Sequence, residues 1–254
     1  MTSRPLEEGE LYTGREAEFK ALDDFLHDGK RLVLVFGAPR VGKTSFLKQL
    51  ARVGIGTFRI HLTQMPSAPN LLTGLLLGIH SALGGPLPGV CQTVTEAKDY
   101  ILSIKKKNET ALICLDGLDP ADLPSSQALE DIAWALNAAG DISMIITVRG
   151  LPSQLNWDIE ELPYIVIPPF TEQETADTLM VPVRGTLAYD LDVVHQIHRF
   201  SGGIPYYVQL FGSLIFEKRA VKGWVGKAEA EETLPQVLQM ADEELRTTWD
   251  QCSR

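Results

Sequence analysis

The residues with the clearest chemical meaning lie between positions 37 and 44, where glycine, lysine and threonine have a fixed spacing. Gly37 is followed after four residues by Gly42, and Lys43 and Thr44 come directly after it. Glycines at these places give the backbone conformations closed to other residues, so that successive N–H groups point inward. N–H donors grouped at the start of a helix bind phosphate. The spacing therefore predicts a loop that holds the phosphates of a purine nucleoside triphosphate.

Side chains of this P-loop have predicted roles as well. Lys43 would reach the β and γ phosphates, and the Thr44 hydroxyl would bind a Mg²⁺ ion. A short apolar run leads into the loop and a helical pattern leaves it, which is the context that a P-loop requires. The residues predicted to contact the nucleotide are Gly37, Ala38, Pro39, Arg40, Val41, Gly42, Lys43, Thr44 and Ser45.

A P-loop also needs an acidic partner at the end of a neighbouring strand. Asp116 directly follows the apolar run at 111–115, and we predict that it joins Thr44 at the Mg²⁺ through a coordinated water. The alternative is an aspartate that caps a helix. Many P-loop ATPases place a glutamate next, but here the following residue is Gly117, which cannot act as a base.

Two further charged residues are candidates for catalysis. Asp119 could serve as the missing base, or it could turn the chain before Pro120. Arg149 follows an apolar run, where its guanidinium could sense the γ phosphate or form a structural ion pair. The predicted catalytic residues are therefore Lys43, Asp116, Asp119 and Arg149.

Apolar runs alternate with helical patterns in the first 168 residues. Strands are predicted at 31–36, 57–62, 111–115, 143–148 and 164–167. Strands that alternate with helices form a parallel sheet covered on both faces. The sequence thus predicts an α/β fold, with a three-layer P-loop NTPase domain at 1–168 that contains a five-stranded parallel sheet.

The segment from Ile60 to Thr95 contains no Asp, Glu, Lys or Arg. Within it, residues 70–83 are predicted to form a helix that is apolar on most faces. Such a helix packs tightly on the sheet, or else forms a subunit or domain interface.

The pattern changes after Pro169. Helices are predicted at 171–180, 187–200, 205–220 and 228–246, and no strand signal separates them. We therefore predict a domain boundary near 168–170, followed by a small all-helical lid at 169–254.

Taken together, these segments resemble the AAA+-related ATPases and, within them, the STAND class of signalling NTPases. Residues 12–16 (YTGRE), followed by an amphipathic helix, look like the family's entry segment, which lies against adenine. The resemblance thus implies that Gly14 and Arg15 contact the nucleotide and that the nucleotide is ATP or ADP. Residues 115–119 (LDGLD) are similar to the magnesium-binding strand of the NACHT branch.

A second part of the resemblance lies at 201–209 (SGGIPYYVQ), which looks like the family's GxP lid motif. The alternative is a simple helix junction, since Pro205 suits the first turn of a helix. In that family the proline touches the nucleotide and couples it to the position of the lid. The resemblance therefore implies that Pro205 contacts ATP.

Composition limits the classes of function. The chain has 254 residues, a formal net charge of −10 and a pI near 5.0, which argues mildly against a dedicated DNA-binding surface. Its three cysteines are widely spaced and predict no metal site. No signal peptide or membrane span is predicted, so we expect a cytoplasmic protein.

Three functions are consistent with these features. The first is an ATP-driven switch that hydrolyses slowly and acts on a protein partner or effector domain. The second is a DNA-associated AAA+ loader, initiator or transposition-type ATPase that forms homo-oligomers with ATP; its hints are Lys105–Lys107 and the uncharged segment. A small-molecule kinase is the third, although the predicted lid speaks against it.

Overall fold

A computed structural model describes residues 14–104, 110–119, 126–139, 142–155, 162–219 and 223–252. The chain divides into two compact units. The core unit contains the described residues of 15–39 and 43–168, and the C-terminal unit contains Gly14, residues 40–42 and the described residues from Pro169 onwards. Whether the C-terminal unit acts as a lid stays a prediction.

The core unit is built on a five-stranded parallel sheet in the order β2-β3-β4-β1-β5. Every residue of β1 and β4 is buried, as expected for apolar strands covered on both faces. The prediction of an α/β fold with a five-stranded parallel sheet is therefore confirmed. The strands are β1 Leu32–Phe36, β2 Arg59–Gln64, β3 Ala111–Leu118, β4 Ile142–Val148 and β5 Tyr164–Val166.

Five α-helices lie among the described residues of the core unit. One of them, α3, is buried along most of its length and packs against the sheet core, as predicted for the uncharged segment. A methyl group at Gly78 would lie only 2.6 Å from Leu115 of β3, so glycine permits this close approach. The helices are α1 Glu16–His27, α2 Lys43–Val53, α3 Leu71–Leu83, α4 Val94–Ile104 and α5 Ser126–Ala139. Lys105–Lys107 lie outside the described residues.

Strand β3 continues beyond its predicted end at Leu115. It runs through Asp116 and Gly117 to Leu118, with a shift in register against β4 between Leu115 and Leu118. Gly117 has a φ of 97°, a conformation that glycine tolerates far better than other residues. This irregularity places Asp116 within the sheet rather than in the loop after it.

The C-terminal unit is not all-helical, and that part of the prediction is wrong. Two short parallel strands, β6 Ala188–Tyr189 and β7 Trp224–Val225, pair with each other. Asp190 accepts a hydrogen bond from the Asp192 N–H and caps the next helix, which therefore begins at Leu191 instead of Leu187. Strands of two residues are too short to show a periodic pattern. The helices are α6 Glu172–Met180, α7 Leu191–Ser201, α8 Pro205–Arg219 and α9 Lys227–Cys252.

The two glycines between α7 and α8 have different surroundings. Gly202 caps α7 with a φ of 59°, and a methyl group added there would meet nothing within 4 Å. Gly203 has a φ of 68°, and its carbonyl accepts a hydrogen bond of 2.7 Å from the Phe170 N–H. A methyl group at Gly203 would overlap the Phe170 carbonyl oxygen, so only glycine fits there. This hydrogen bond connects the α7–α8 turn to Phe170, which directly follows Pro169.

We expect the two glycines to respond differently to alanine. Gly202→Ala should destabilise the protein by about 1 kcal/mol, the strain of a left-handed residue. Gly203→Ala should cost about 3 kcal/mol, because a steric overlap with backbone adds to the same strain. Urea unfolding of both variants measures the difference, and equal costs would contradict the described close approach.

Candidate nucleotide-binding site

The predicted P-loop connects the end of β1 to the first residue of α2. Its positive φ values fall on Arg40 (64°) and Gly42 (99°). Gly42 therefore has the predicted conformational role, but Gly37 does not. Gly37 instead pairs with Gly150 in an isolated antiparallel bridge, through N–H···O bonds of 2.8 and 3.2 Å. This bridge fixes the start of the loop next to the residue that follows Arg149.

Lys43 lies at the start of α2 with its ammonium group directed back across the loop. Its Nζ donates hydrogen bonds to the carbonyl oxygens of Gly37 (2.5 Å) and Ala38 (3.1 Å). Burial lowers the pKa of Lys43 to about 8, Asp116 acts in the opposite direction, and Arg149 lowers it further. A phosphate anion at this position would favour the protonated ammonium group.

Asp116 is the centre of the hydrogen-bond network at the carboxyl edge of the sheet. Its side chain is buried, and its Oδ2 accepts a hydrogen bond of 2.7 Å from the Thr44 hydroxyl. Oδ1 accepts a hydrogen bond of 2.6 Å from Thr147 Oγ1, and Oδ2 a longer one of 3.3 Å from Gln64 Nε2. The structure thus brings together the two residues that the sequence predicted for Mg²⁺.

Thr147 and Gln64 were not predicted as site residues. Thr147 is fully buried in β4, and its Oγ1 also accepts a hydrogen bond of 2.8 Å from the Gly117 N–H. Gln64 is the last residue of β2 and pairs in register with Asp116. A signal was present, since each is a polar residue near the carboxyl end of a strand. Parallel strands bring those ends to one edge.

Asp119 and Arg149 lie beside this network. The Arg149 Nη1 is 4.0 Å from Asp119 Oδ2, and both side chains are about half exposed or more, at 63% and 50%. The pair is therefore a weak surface ion pair. This contact is consistent with the structural alternative for Arg149 and does not test its contact with a γ phosphate.

The donor atoms fit a Mg²⁺ site that is completed by nucleotide. Thr44 Oγ1 and Asp116 Oδ2 are hard oxygen ligands held 2.7 Å apart. Mg²⁺ is usually held by one or two protein oxygens, with waters and substrate phosphates as the other ligands. Among the described residues, no group of three or more His, Cys, Asp or Glu side chains could hold a metal by itself. Burial, together with the nearby Asp116, raises the pKa of the Cys114 thiol to about 12, which disfavours the thiolate form that binds metals.

Solved structures share this architecture. Cdc6p from Pyrobaculum aerophilum matches with a TM-score of 0.56 and 18% identity, over 86% of this chain and 64% of that one. The Orc1 protein of Aeropyrum pernix, solved in complex with DNA, matches with a TM-score of 0.55 and 17% identity, over 89% and 66% of the two chains. Drosophila ORC bound to DNA matches with a TM-score of 0.58 and 14% identity, over 90% and 62%.

The chain has an AAA+-like fold, an α/β domain with a five-stranded parallel sheet followed by C-terminal helices. It spans slightly less than two thirds of the length of each of these chains. No model of a protein family and no curated protein matches the sequence. Identities of 14–18% carry the AAA+ fold and not an activity.

The remaining predicted contacts of this AAA+ fold lie at the start of α1 and in the C-terminal unit. Arg15 is buried before α1 with a φ of 76°, and Gly14 packs against the Glu174 side chain. Pro205 is the first residue of α8, as expected from its missing N–H. The nucleotide contacts of Gly14, Arg15 and Pro205 stay predictions. Tyr12 and Thr13 lie outside the described residues.

Residues 40–42, which form the tip of the P-loop, are grouped with the C-terminal unit. Val41 is buried, and the Arg40 guanidinium carbon lies 4.1 Å from the centre of the Tyr206 ring. Tyr206 directly follows Pro205. A cation–π contact thus connects the loop tip with the first turn of α8.

No helix in the described part of the chain is both long and apolar enough to cross a membrane.

We expect Thr147 to be necessary for holding Asp116. Thr147→Val removes the hydroxyl that donates to Asp116 Oδ1 and accepts from the Gly117 N–H, and the loss of these two hydrogen bonds should cost about 2 kcal/mol. Thr147→Ser keeps the hydroxyl and should cost about 1 kcal/mol for the lost methyl group. Urea unfolding compares the two, and a valine variant as stable as the serine variant would refute this role.

Proposed function

We propose that the chain binds ATP with Mg²⁺ and hydrolyses it slowly. The observation that carries this proposal is the hydrogen bond between Thr44 and Asp116, directly beside Lys43 at the start of α2. It joins the end of the P-loop to the carboxyl edge of β3. A phosphate held by the loop would therefore meet a lysine ammonium group and two Mg²⁺ ligands.

Each side chain has one part in this proposal. Lys43 exchanges its carbonyl partners for β and γ phosphate oxygens, and Thr44 and Asp116 hold the metal. Bound Mg²⁺ supplies charge neutralisation at the phosphates. Arg149 binds the γ phosphate, which is present in ATP but not in ADP. The proposed preference for adenine rests on the family resemblance of Gly14 and Arg15.

Slow turnover follows from the conformation of Gly117. The residue at this position is glycine, which has no side chain to act as a base, and its φ of 97° disfavours any residue that has one. Without a base at this position we expect a kcat well below the enzyme median of about 10 s⁻¹.

Lys43→Ala tests the phosphate site directly. We expect it to abolish binding of Mg·ATP by isothermal titration calorimetry, because the loop loses its only ammonium donor to the phosphates. Lys48→Ala is the matched control, since Lys48 lies five residues later on the same helix, away from the loop, and the variant should leave binding unchanged. Binding by the Lys43 variant at wild-type affinity would contradict the proposed phosphate site.

For the cellular role, we propose a DNA-associated ATPase of the loader or initiator type. Support comes from the structures above, because the matched Orc1 and ORC chains are bound to DNA. The net charge of −10 requires that any DNA contact be a local basic patch. Arg184 and Arg199 are exposed in the C-terminal unit and could act on the nucleotide of a neighbouring copy.

A nucleotide-driven switch is the second candidate, and the contact between Arg40 and Tyr206 favours it. Phosphates bound at the loop would act on Arg40, and through Tyr206 on the first turn of α8. The subtype would then be STAND-like, with a protein partner or effector domain. ATP would shift the conformation only by its difference in affinity for the two states.

Assembly and DNA binding distinguish the two roles. For the loader, light scattering should show oligomers with a non-hydrolysable ATP analogue but not with ADP. Duplex DNA should then bind to the oligomer with an affinity that falls steeply as salt increases. Lys43→Ala should lose both properties. ATP-dependent assembly without DNA binding would contradict the loader and support the switch.

A further inference from the structure

Gln64 occupies a place in the site that the proposed function leaves unassigned. It ends β2 directly beside Asp116 of β3, and its Nε2 donates to Asp116 Oδ2 at 3.3 Å. One amide N–H is thus used by Asp116. Gln64 as a whole residue is exposed.

The amide oxygen of Gln64 lies beside the missing side chain of Gly117. A Cβ atom built on Gly117 would be 3.9 Å from Gln64 Oε1 and 3.9 Å from Arg149 Nη2. A hydrogen-bond acceptor and a guanidinium group therefore flank the point from which an acidic side chain would extend. A water in this space would have an acceptor on one side and a cation on the other.

We propose that Gln64 is a catalytic residue that orients the attacking water for ATP hydrolysis, an inference that rests on the proposed function. Its Oε1 accepts one hydrogen bond from the water and so directs a lone pair of the water oxygen toward the γ phosphorus. A bond forms between the water oxygen and phosphorus, and the bond to the β–γ bridging oxygen breaks. ADP leaves with that electron pair, and a water proton passes to a γ-phosphoryl oxygen.

This role suits an amide better than a base. A glutamine cannot take the proton, so the reaction depends on transfer to the phosphate itself, which is compatible with slow hydrolysis. Positioning alone has a large effect on rate when the reacting atoms are held at contact distance. The hydrogen bond from Nε2 to Asp116 favours the amide orientation in which Oε1 lies beside Gly117.

The test compares Gln64→Met with the wild-type chain. Methionine keeps the length of the side chain and removes both the amide oxygen and the amide N–H donors. We expect kcat to fall by about 10- to 100-fold, with KM for Mg·ATP changed by no more than about twofold. Affinity for ADP with Mg²⁺ and tetrafluoroaluminate should fall by a similar factor, because this complex imitates the transition state, whereas affinity for ADP alone should not change.

Two controls separate a catalytic role from a structural one. Gln173→Met removes an exposed glutamine of α6 that also donates to an aspartate, Asp177, and should change none of these values. Gln64→Glu keeps an acceptor at the same length, so it should recover part of the lost turnover. That recovery should decrease at low pH, where the new carboxylate becomes protonated.

Each failure has a distinct meaning. If Gln64→Met turns over normally while Asp119→Asn does not, Asp119 is the water-activating residue and the proposal is wrong. If affinity for ADP and affinity for the tetrafluoroaluminate complex fall equally, Gln64 only supports the structure of the site, and the proposal is also wrong. If the wild-type chain binds Mg·ATP without hydrolysing it, the role of Gln64 fails while the nucleotide site stands. A wild-type chain that binds no nucleotide would remove both proposals.

Discussion

The site depends on one buried carboxylate that three different strands or helices hold in place. Asp116 accepts hydrogen bonds from Thr44 at the start of α2, from Thr147 in β4 and from Gln64 at the end of β2. A buried charge without such partners would be strongly destabilising. The order of strands supplies these partners, because β3 lies between β2 and β4 and all carboxyl ends meet at one edge. The carboxylate oxygens of Asp116 therefore connect three elements of the fold and are also the predicted metal ligands of the site.

The irregularity of β3 has consequences beyond its own geometry. Within this irregular segment the Gly117 N–H donates to Thr147, which in turn donates to Asp116. The φ of 97° at Gly117 disfavours a side chain directly after Asp116. Support of the Asp116 carboxylate and a position that favours glycine directly after it therefore occur in the same irregular segment. Under the proposed function, a residue that assists hydrolysis would have to come from outside this position.

The sequence predicted the parts of the molecule that are encoded locally. The P-loop spacing, the apolar runs of the five strands and the aspartate after the third run are each readable within a few residues, and the fold class followed from their alternation. Gln64 and Thr147 were missed because their role depends on register between strands that are far apart in sequence. The strands β6 and β7 were missed because two residues carry no periodicity. In the loop itself, the motif indicated that backbone freedom is needed, but the positive φ values fall on Arg40 and Gly42 and not on Gly37.

A difference between ATP and ADP can act only where the γ phosphate changes a contact. The ion pair between Arg149 and Asp119 is long and largely exposed, and such pairs contribute between about 0 and 1 kcal/mol. Loss of the ion pair with Asp119 would therefore cost little free energy. A charge-assisted hydrogen bond between the Arg149 guanidinium and a phosphate oxygen in a less exposed site is stronger than such a pair. Because this surface ion pair is weak, it does not prevent the Arg149 guanidinium from exchanging Asp119 for a phosphate. The observed contact with Asp119 is therefore compatible with the proposed role of Arg149 in recognising ATP.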